Sequence, residues 1–330
     1  MRELTFTEAA REALDEEMAR DETIFVVGEG IGKRGGNFKT TVGLYEKYGE
    51  ERLRDVPIAE RGFIGMCTGA AMTGTRPVVD VMYFDFALDG AGEMINQTAK
   101  MQYMSGGRLK MPIVIRGAIG LGMASATHHS GNFYPLFAHS PGWKIALPSN
   151  ARDAKGLFKT ALRGDDPVLF LEHKYLLGAT GEVPEIEADE AIPFGVARIC
   201  REGSDLTIVA VSWMVTKALE AAETLAAEGI SVEVIDPRTI APLDIDTIVP
   251  SVKKTGRLLV VDEDFAPFGV TSEISAQVNE RAFGDLKAPV RRLNGLHAPA
   301  PYSPPLEAAV GLDAGKIVAA ARSLAGEGGK

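Results

Sequence analysis

Cysteines and long apolar runs are both scarce in this sequence. Its two cysteines, Cys67 and Cys200, lie in apolar surroundings without a second thiol or a histidine at metal-ligand spacing, so we expect core residues in a reducing compartment. No apolar run approaches the roughly 20 residues that a membrane-spanning helix needs, and the N-terminus leads into an amphipathic helix instead of a cleavable leader. The sequence therefore predicts a cytoplasmic protein without a disulfide framework.

Positive charge is also in short supply. The 35 Lys and Arg residues stand against 45 Asp and Glu residues, which gives a formal net charge of −10. This balance disfavours nucleic acid and anionic membranes as partners, and it is compatible with a basic protein partner. At 330 residues, 45% of them hydrophobic, the chain is long enough for two globular domains of ~150 residues each.

Strand-like apolar runs and helical segments alternate along the chain. The runs are apolar on both faces, which is typical of a parallel sheet covered by helices on both sides. The sequence thus predicts an α/β protein of two three-layer domains, residues 1–185 and 205–330, joined by a linker at 186–204. Thr5 and Glu8 have capping-box spacing ahead of the first helix. Strands are predicted at 24–28, 76–82, 112–116, 144–147 and 167–171, and helices at 91–103, 151–162, 215–228, 244–254 and 306–324.

Glu60 stands at the start of a predicted helix that is otherwise apolar and contains several glycines. Asp55 and Pro57 mark the entry to this helix. A carboxylate in the first turn is often only a favourable partner of the helix dipole. The alternative is a functional acid, and its position alone leaves both interpretations open.

A glycine-rich loop at 117–122 leads to His128 and His129 and, further on, to His139. Adjacent histidines on a strand point to opposite faces, which argues against a shared zinc ion. A loop histidine is instead a candidate proton shuttle or anion partner, and the alternative is a hydrogen-bonded surface residue.

Two other features also have a structural alternative. The glycines at 28–32 follow a strand and are candidates for a phosphate cradle, but they lack the spacing of a dinucleotide fingerprint. Met82, Phe84 and Phe86 leave a predicted strand, and such residues are more often core than a cofactor wall. The residues alone therefore predict a candidate acid and a candidate histidine loop, but no reaction.

Five motifs, taken in their order, resemble the β subunit of the thiamine-diphosphate-dependent, decarboxylating component of 2-oxo acid dehydrogenase complexes. They are PIAERGF at 57–63, QYMSGG at 102–107, HS at 129–130, FAHSPG at 137–142 and DPRTIAPLD at 236–244. The resemblance covers residues 4–325 and extends to the second half of transketolases. It implies a pyrimidine-binding N-terminal domain, a transketolase C-terminal-like domain that supports assembly, and oxidative decarboxylation with acyl transfer to lipoamide.

The resemblance gives Glu60 a catalytic role. Its carboxylate would hydrogen-bond a pyrimidine nitrogen and favour the imino tautomer, whose exocyclic nitrogen can take the proton from the thiazolium carbon. Ile58, Met82 and Phe86 would pack around the aminopyrimidine. Asp89 stands where many relatives carry glutamine, a departure that bears on its contact with the cofactor.

His129 matches a family histidine placed near the substrate and the incoming lipoyl group, where it would stabilise charge or supply a proton during acyl transfer. His128 is the weaker candidate. The residues at 129–134, HSGNFY, depart from the commoner His-Ser-Gln pattern and are expected to line the substrate pocket.

A structural potassium ion is a further family feature. Hard oxygen ligands suit such a cation, and backbone carbonyls provide most of them. The corresponding positions are Ile113, Ala161, Leu162, Gly164 and Asp166, where Gly164 replaces a frequent aspartate.

The family's diphosphate-and-magnesium motif, Gly-Asp-Gly followed by Asn, is absent from the sequence. We therefore expect the chain to be inactive alone and to need an α subunit that holds the diphosphate and Mg²⁺, in an α2β2 heterotetramer. A lipoyl-bearing dihydrolipoyl acyltransferase core is the expected further partner, and the acidic charge would suit a basic subunit-binding domain on it.

Within this enzyme class, YMSGG at 103–107 resembles pyruvate and acetoin dehydrogenase β subunits more than branched-chain ones. Pyruvate is the first candidate substrate and acetoin the second. Branched-chain 2-oxo acid dehydrogenase and split transketolase follow. From a different class, a non-catalytic assembly subunit is the remaining alternative, which the presence of both Glu60 and His129 disfavours.

Overall fold

The computed structural model describes residues 1–326, which fall into two compact units. Unit 1 comprises Met1–Ile119 and His128–Phe194, and unit 2 comprises Gly120–Thr127 and the chain from Gly195 onward. The sequence-based boundaries contain no sign of the short excursion at 120–127, because a glycine-rich loop carries no periodicity that would assign it to a domain.

The strands of unit 1 confirm the predicted parallel sheet. Strands β2 to β7 lie side by side in the order β6-β7-β5-β4-β2-β3, all parallel, and β1 pairs antiparallel with β8. Every residue of β5 and β7 is buried, as expected for central strands covered on both faces. The strands are β1 (Arg2–Thr5), β2 (Ile24–Gly28), β3 (Leu53–Asp55), β4 (Arg76–Tyr83), β5 (Val114–Ile119), β6 (Lys144–Ala146), β7 (Val168–His173) and β8 (Thr180–Val183).

The helices of unit 1 begin and end largely where local signals place them. The capping box is present at α1, where the Thr5 side chain accepts from the Glu8 N–H and Glu8 accepts from the Thr5 N–H. The helices are α1 (Phe6–Arg20), α2 (Leu44–Tyr48), α3 (Glu60–Met72), α4 (Ala91–Glu93), α5 (Met101–Met104), α6 (Tyr134–Ala138) and α7 (Ala151–Arg163).

The single helix predicted at 91–103 is wrong. A π-helical turn, Met94–Thr98, separates α4 from α5. The Thr98 hydroxyl bonds to the Glu93 carbonyl at 3.2 Å and to the Thr68 hydroxyl at 2.7 Å. A side chain that inserts into the helical hydrogen-bond ladder in this way widens the turn.

Unit 2 is built around a second sheet, in the order β14-β13-β10-β11-β9. Its strands are parallel except for the edge strand β9, which runs antiparallel to β11 and lies inside the predicted linker at 186–204. The elements are β9 (Arg198–Arg201), β10 (Leu206–Ala210), β11 (Val232–Asp236), β12 (Thr239–Ala241), β13 (Leu258–Phe265), β14 (Arg291–Gly295), α8 (Trp213–Ala227), α9 (Ile245–Thr255), α10 (Val270–Ala282), α11 (Pro304–Val310) and α12 (Ala314–Ala325).

The last predicted helix, at 306–324, is in fact two helices. α11 ends at Gly311, whose backbone is extended, and α12 begins after Asp313, whose carboxylate accepts the Lys316 N–H at 2.7 Å. Cys67 is buried in α3, whereas Cys200 is only half-buried on β9, and neither is part of a disulfide within residues 1–326. Across residues 1–326, none of the helices has the length and apolar character that crossing a bilayer requires.

Candidate cofactor and substrate site

Glu60 is the first residue of α3 and one of the few buried carboxylates of unit 1. Only 7% of its surface is exposed. The preceding Ala59 offers no side-chain cap, and within residues 1–326 the Glu60 carboxylate takes part in no hydrogen bond or ion pair. A carboxylate on a mostly buried side chain without a protein partner keeps its oxygens available to a ligand that offers a hydrogen-bond donor.

Glu29 lies near this carboxylate and was missed by sequence reasoning. It follows β2 and lies inside the glycine segment 28–32, the candidate phosphate cradle. Burial raises the pKa of the Glu29 carboxyl, and the negative charge of Glu60 raises it further. The two glutamates are thus within electrostatic reach of each other. They are 31 positions apart in the sequence, so no local sequence pattern indicates that they are close.

The end of β4 is bent at a predicted cofactor-binding residue. The pairing between β4 and β5 shifts between Asp80 and Tyr83, and Met82 between them has a φ of +64°, uncommon for a residue with a side chain. The Asp80 carboxylate accepts the Met82 N–H at 2.9 Å and so supports this conformation. Strained residues of this kind cluster at functional sites.

A cluster of aromatic rings follows this bend. The ring of Tyr83 meets the rings of Phe38 and Phe86 edge-on, with centroids 5.2 and 5.9 Å apart. The ring of His129 joins the cluster 4.5 Å from Tyr83 and 5.5 Å from Phe86. The structure therefore brings His129 together with Phe86. His128 is exposed and is absent from these ring contacts.

The segment 84–90 is a 3₁₀-helix that packs against the first turns of α3. A Cβ on Gly90 would lie 2.6 Å from Ile64 Cδ1 and 3.6 Å from the Glu60 carbonyl oxygen, so a larger residue would require the Ile64 side chain to move. The neighbouring Asp89 is exposed, and Ile58, on the other side of Glu60 in sequence, is 81% exposed. Neither side chain is part of a buried pocket of unit 1.

Two groups hold the main chain around His129. The Lys174 ammonium group donates to the His129 carbonyl, and the Asp85 carboxylate accepts the Gly131 N–H. Burial raises the pKa of Asp85, although the Gly131 hydrogen bond and the charges of Lys174 and His129 oppose the shift. Neither Lys174 nor Asp85 was singled out from the sequence.

The loop before His128 belongs to unit 2, where two carboxylates accept its N–H groups. Glu263 accepts from Leu121 at 2.8 Å, and Glu307 accepts from Gly122 and Ala124 at 2.9 and 3.3 Å. Such charge-assisted hydrogen bonds restrict the backbone of this glycine-rich loop, which would otherwise have wide conformational freedom.

The predicted potassium site contains a competing cation. The guanidinium of Arg76 donates to the Gly164 carbonyl at 2.6 Å, to the Leu162 carbonyl at 3.4 Å and to the Asp165 carboxylate at 2.9 Å. The Ile113 carbonyl accepts from Val168 across the sheet. The donor set is of the right chemistry, but two of its oxygens already contact a positive charge, so these residues do not fit a potassium ion while Arg76 is in place.

Comparison with known proteins places these features in a family. Two family models match: transketolase, pyrimidine binding domain, over residues 2–180, and transketolase, C-terminal domain, over residues 195–317. The β subunit of acetoin:2,6-dichlorophenolindophenol oxidoreductase from Cupriavidus necator is 45% identical over 100% of this chain and 99% of that protein. The chain belongs to this family of transketolase-like dehydrogenase β subunits.

Other members of the dehydrogenase β-subunit family are similarly close. The mitochondrial pyruvate dehydrogenase E1 component subunit β of Dictyostelium discoideum is 45% identical over 98% of this chain and 91% of that protein. The 2-oxoisovalerate dehydrogenase subunit β of Bacillus subtilis is 43% identical over 98% of both chains. These relatives confirm the resemblance and show that the chain is an oxidoreductase subunit of this class.

A solved structure shares the fold of this β subunit. It is described as a split gene transketolase, inactive beta4 tetramer, and it is 25% identical, with a TM-score of 0.77 over 98% of both chains. The two α/β units with mainly parallel sheets are therefore the transketolase-like fold, as predicted. The transketolase-like E1 family depends on thiamine diphosphate.

Proposed function

We propose that the chain is the β subunit of a pyruvate dehydrogenase-like enzyme, which decarboxylates a small 2-oxo acid and transfers the acyl group to lipoamide. The observation that carries this proposal is the Glu60 carboxylate. It is buried, lacks a hydrogen-bond partner among the described residues and opens α3 in the unit that matches a pyrimidine-binding family model.

The residues near Glu60 fit the aminopyrimidine of thiamine diphosphate. When bound, this cofactor supplies the carbon nucleophile and the electron sink that decarboxylation of a 2-oxo acid needs. The Glu60 carboxylate would accept a hydrogen bond from the protonated nitrogen of the pyrimidine ring and so stabilise the proton on that nitrogen. Met82 and Phe86 would pack against the ring, and Glu29 lies close enough to Glu60 for their charges to interact.

Ile58 and Asp89 belong to the proposal in a different way. Both are exposed, so they would contact the cofactor only at a surface that a second molecule covers. This arrangement supports an α subunit that carries the diphosphate and Mg²⁺, and we propose an α2β2 heterotetramer that docks on a lipoyl-bearing acyltransferase core. The missing Gly-Asp-Gly motif supports the same division of labour.

His129 is the proposed acid or charge-stabilising group of acyl transfer. Its ring packs against Tyr83 and Phe86, so its orientation is restricted beside a proposed cofactor-binding residue. An oriented histidine can give or take a proton near neutral pH.

Potassium binding stays a prediction from the family resemblance. An ion on the carbonyls of Ile113, Ala161, Leu162, Gly164 and Asp166 would have to displace Arg76 or compete with it.

Acetoin is the alternative substrate, because the Cupriavidus relative is named for acetoin and matches the whole chain. The test is to purify the chain with its α partner and measure reduction of an artificial electron acceptor with pyruvate, acetoin and 2-oxoisovalerate. Pyruvate should give the highest kcat/KM. Preference for acetoin would replace the substrate assignment, and activity of the β chain alone would overturn the division between subunits.

A further inference from the structure

Lys174 is a buried cation that touches the main chain next to a proposed catalytic histidine. It begins the 3₁₀ turn Lys174–Leu176 directly after β7, and only 1% of its surface is exposed. Its Nζ lies 2.7 Å from the His129 carbonyl oxygen and 3.1 Å from the Ser130 hydroxyl. One ammonium group therefore binds two consecutive residues.

Asp85 binds the next residue along the chain. Its two carboxylate oxygens lie 3.1 and 3.2 Å from the Gly131 nitrogen and accept its hydrogen. A Cβ on Gly131 would lie 2.7 Å from Asp85 Oδ1 and 2.1 Å from the Phe133 ring, so a larger residue would require both side chains to move. A cation on a carbonyl and an anion on an N–H thus hold both ends of the segment 129–131.

Lys174 also contacts the aromatic residue that packs against the side chain of His129. The His129 ring packs against Tyr83, and the Lys174 Nζ lies 5.8 Å from the centroid of that same Tyr83 ring. Lys174 therefore contacts both the main chain of His129 and the aromatic residue that supports its imidazole.

Burying an ammonium group is costly, and an apolar side chain of similar length would fill the space at lower cost. What a methionine cannot do is bind a carbonyl with a directed, charge-assisted hydrogen bond. We infer that Lys174, together with Asp85, is a positioning residue that fixes the imidazole of His129 for acyl transfer. The inference rests on the proposed role of His129, and Lys174 itself touches no reacting group.

The test compares Lys174→Met with Lys159→Met in the reconstituted αβ enzyme. Lys159 is a fully buried lysine of α7 that pairs with Glu16 and Asp189, so its variant controls for loss of a buried charge. Lys174→Met should slow acyl transfer to lipoamide about 10-fold relative to decarboxylation with an artificial acceptor. Lys159→Met should leave that ratio unchanged, and Lys174→Arg should restore part of it.

A double-mutant cycle separates positioning from a general structural role. In a His129→Ala background, Lys174→Met should change acyl transfer by less than about 2-fold, because the group that it positions is gone. An equal loss in both partial reactions, or a full additional loss without His129, would overturn the inference.

Amide hydrogen exchange provides a measurement that does not depend on catalysis. Lys174→Met should speed exchange at residues 129–131, whereas Lys159→Met should not. Unchanged exchange at residues 129–131 overturns the positioning inference, whether or not His129 takes part in acyl transfer. Faster exchange together with an unaffected acyl transfer in His129→Ala would instead contradict the proposed function.

Discussion

Glu29 lies near Glu60 in a partly buried region of unit 1, where burial raises the pKa of the Glu29 carboxyl and the charge of Glu60 raises it further. A carboxyl group whose pKa is raised on folding contributes stability at low pH and loses it as the pH rises from its ordinary value of about 4.5 through the raised value. Glu29→Gln removes the charge. We therefore expect a melting temperature higher by ~2 °C at pH 7.5 and unchanged at pH 4. The exposed Glu22→Gln is the control, and a stabilisation that is equal at both pH values would contradict the electrostatic cause.

Glu60→Gln tests the proposed acid directly. The amide cannot hold the pyrimidine proton as a carboxylate does, so turnover of the αβ enzyme should fall at least ~100-fold. Assembly with the α subunit, measured by gel filtration, should be unaffected. Glu93→Gln, at a half-buried glutamate that pairs with Arg61, should retain activity. Near-normal turnover of Glu60→Gln would refute the assigned role.

His129→Ala has a matched control in the neighbouring His128→Ala. Only the ring of His129 lies in the aromatic cluster with Tyr83 and Phe86, so only its removal should slow acyl transfer to lipoamide, by ~100-fold. Single-turnover measurements with a free lipoyl domain report this step. Equal effects of the two substitutions would show that the ring contacts do not mark the functional histidine.

Glu307→Gln probes the loop at 120–127. The amide keeps one acceptor oxygen for Gly122 or Ala124 but turns an NH₂ donor towards the other N–H, so one buried donor loses its partner. The expected cost is about 1–3 kcal/mol in the free energy of unfolding, with faster amide exchange at residues 122–124. Glu273→Gln, in the first turn of α10, should have neither effect. Slow exchange in Glu307→Gln would mean that other contacts hold the loop.

The hydrogen bonds of Arg76 at the predicted potassium site lead us to expect little effect of K⁺ on the melting temperature. While its guanidinium binds the carbonyls of Leu162 and Gly164, replacing KCl by NaCl at constant ionic strength should shift the melting temperature by less than ~2 °C. Arg76→Met would free both oxygens and should introduce a dependence on K⁺. A strong dependence in the unaltered protein would show that the ion displaces Arg76, as the resemblance implies.

Local signals predicted the parts of the fold that depend on local physics. The capping box of Thr5 and Glu8 begins α1, Glu60 begins α3, and Gly256 ends α9. The apolar runs of β4 to β7 predicted a buried parallel sheet. The π-turn at 94–98 escaped prediction because the Thr98 hydroxyl finds its partner, Thr68, on another helix.

The candidate site divides in the same way. Glu60 and His129 stood out because each lies in an unusual local sequence. Glu29, Tyr83 and Lys174 did not, because what distinguishes them is an interaction with a residue more than 30 positions away in the sequence. Sequence periodicity contains no information on such pairs.

The limited space around Gly131 restricts which residues can replace it. Where the commoner pattern has glutamine, a Cβ would strike Asp85 and the Phe133 ring, so importing the glutamine alone should damage the protein. Exchanging positions 85, 131 and 133 as a set would avoid the collision. Because their side chains would compete for the same space, we expect these three positions to covary among homologues, and no single exchange among them to be tolerated.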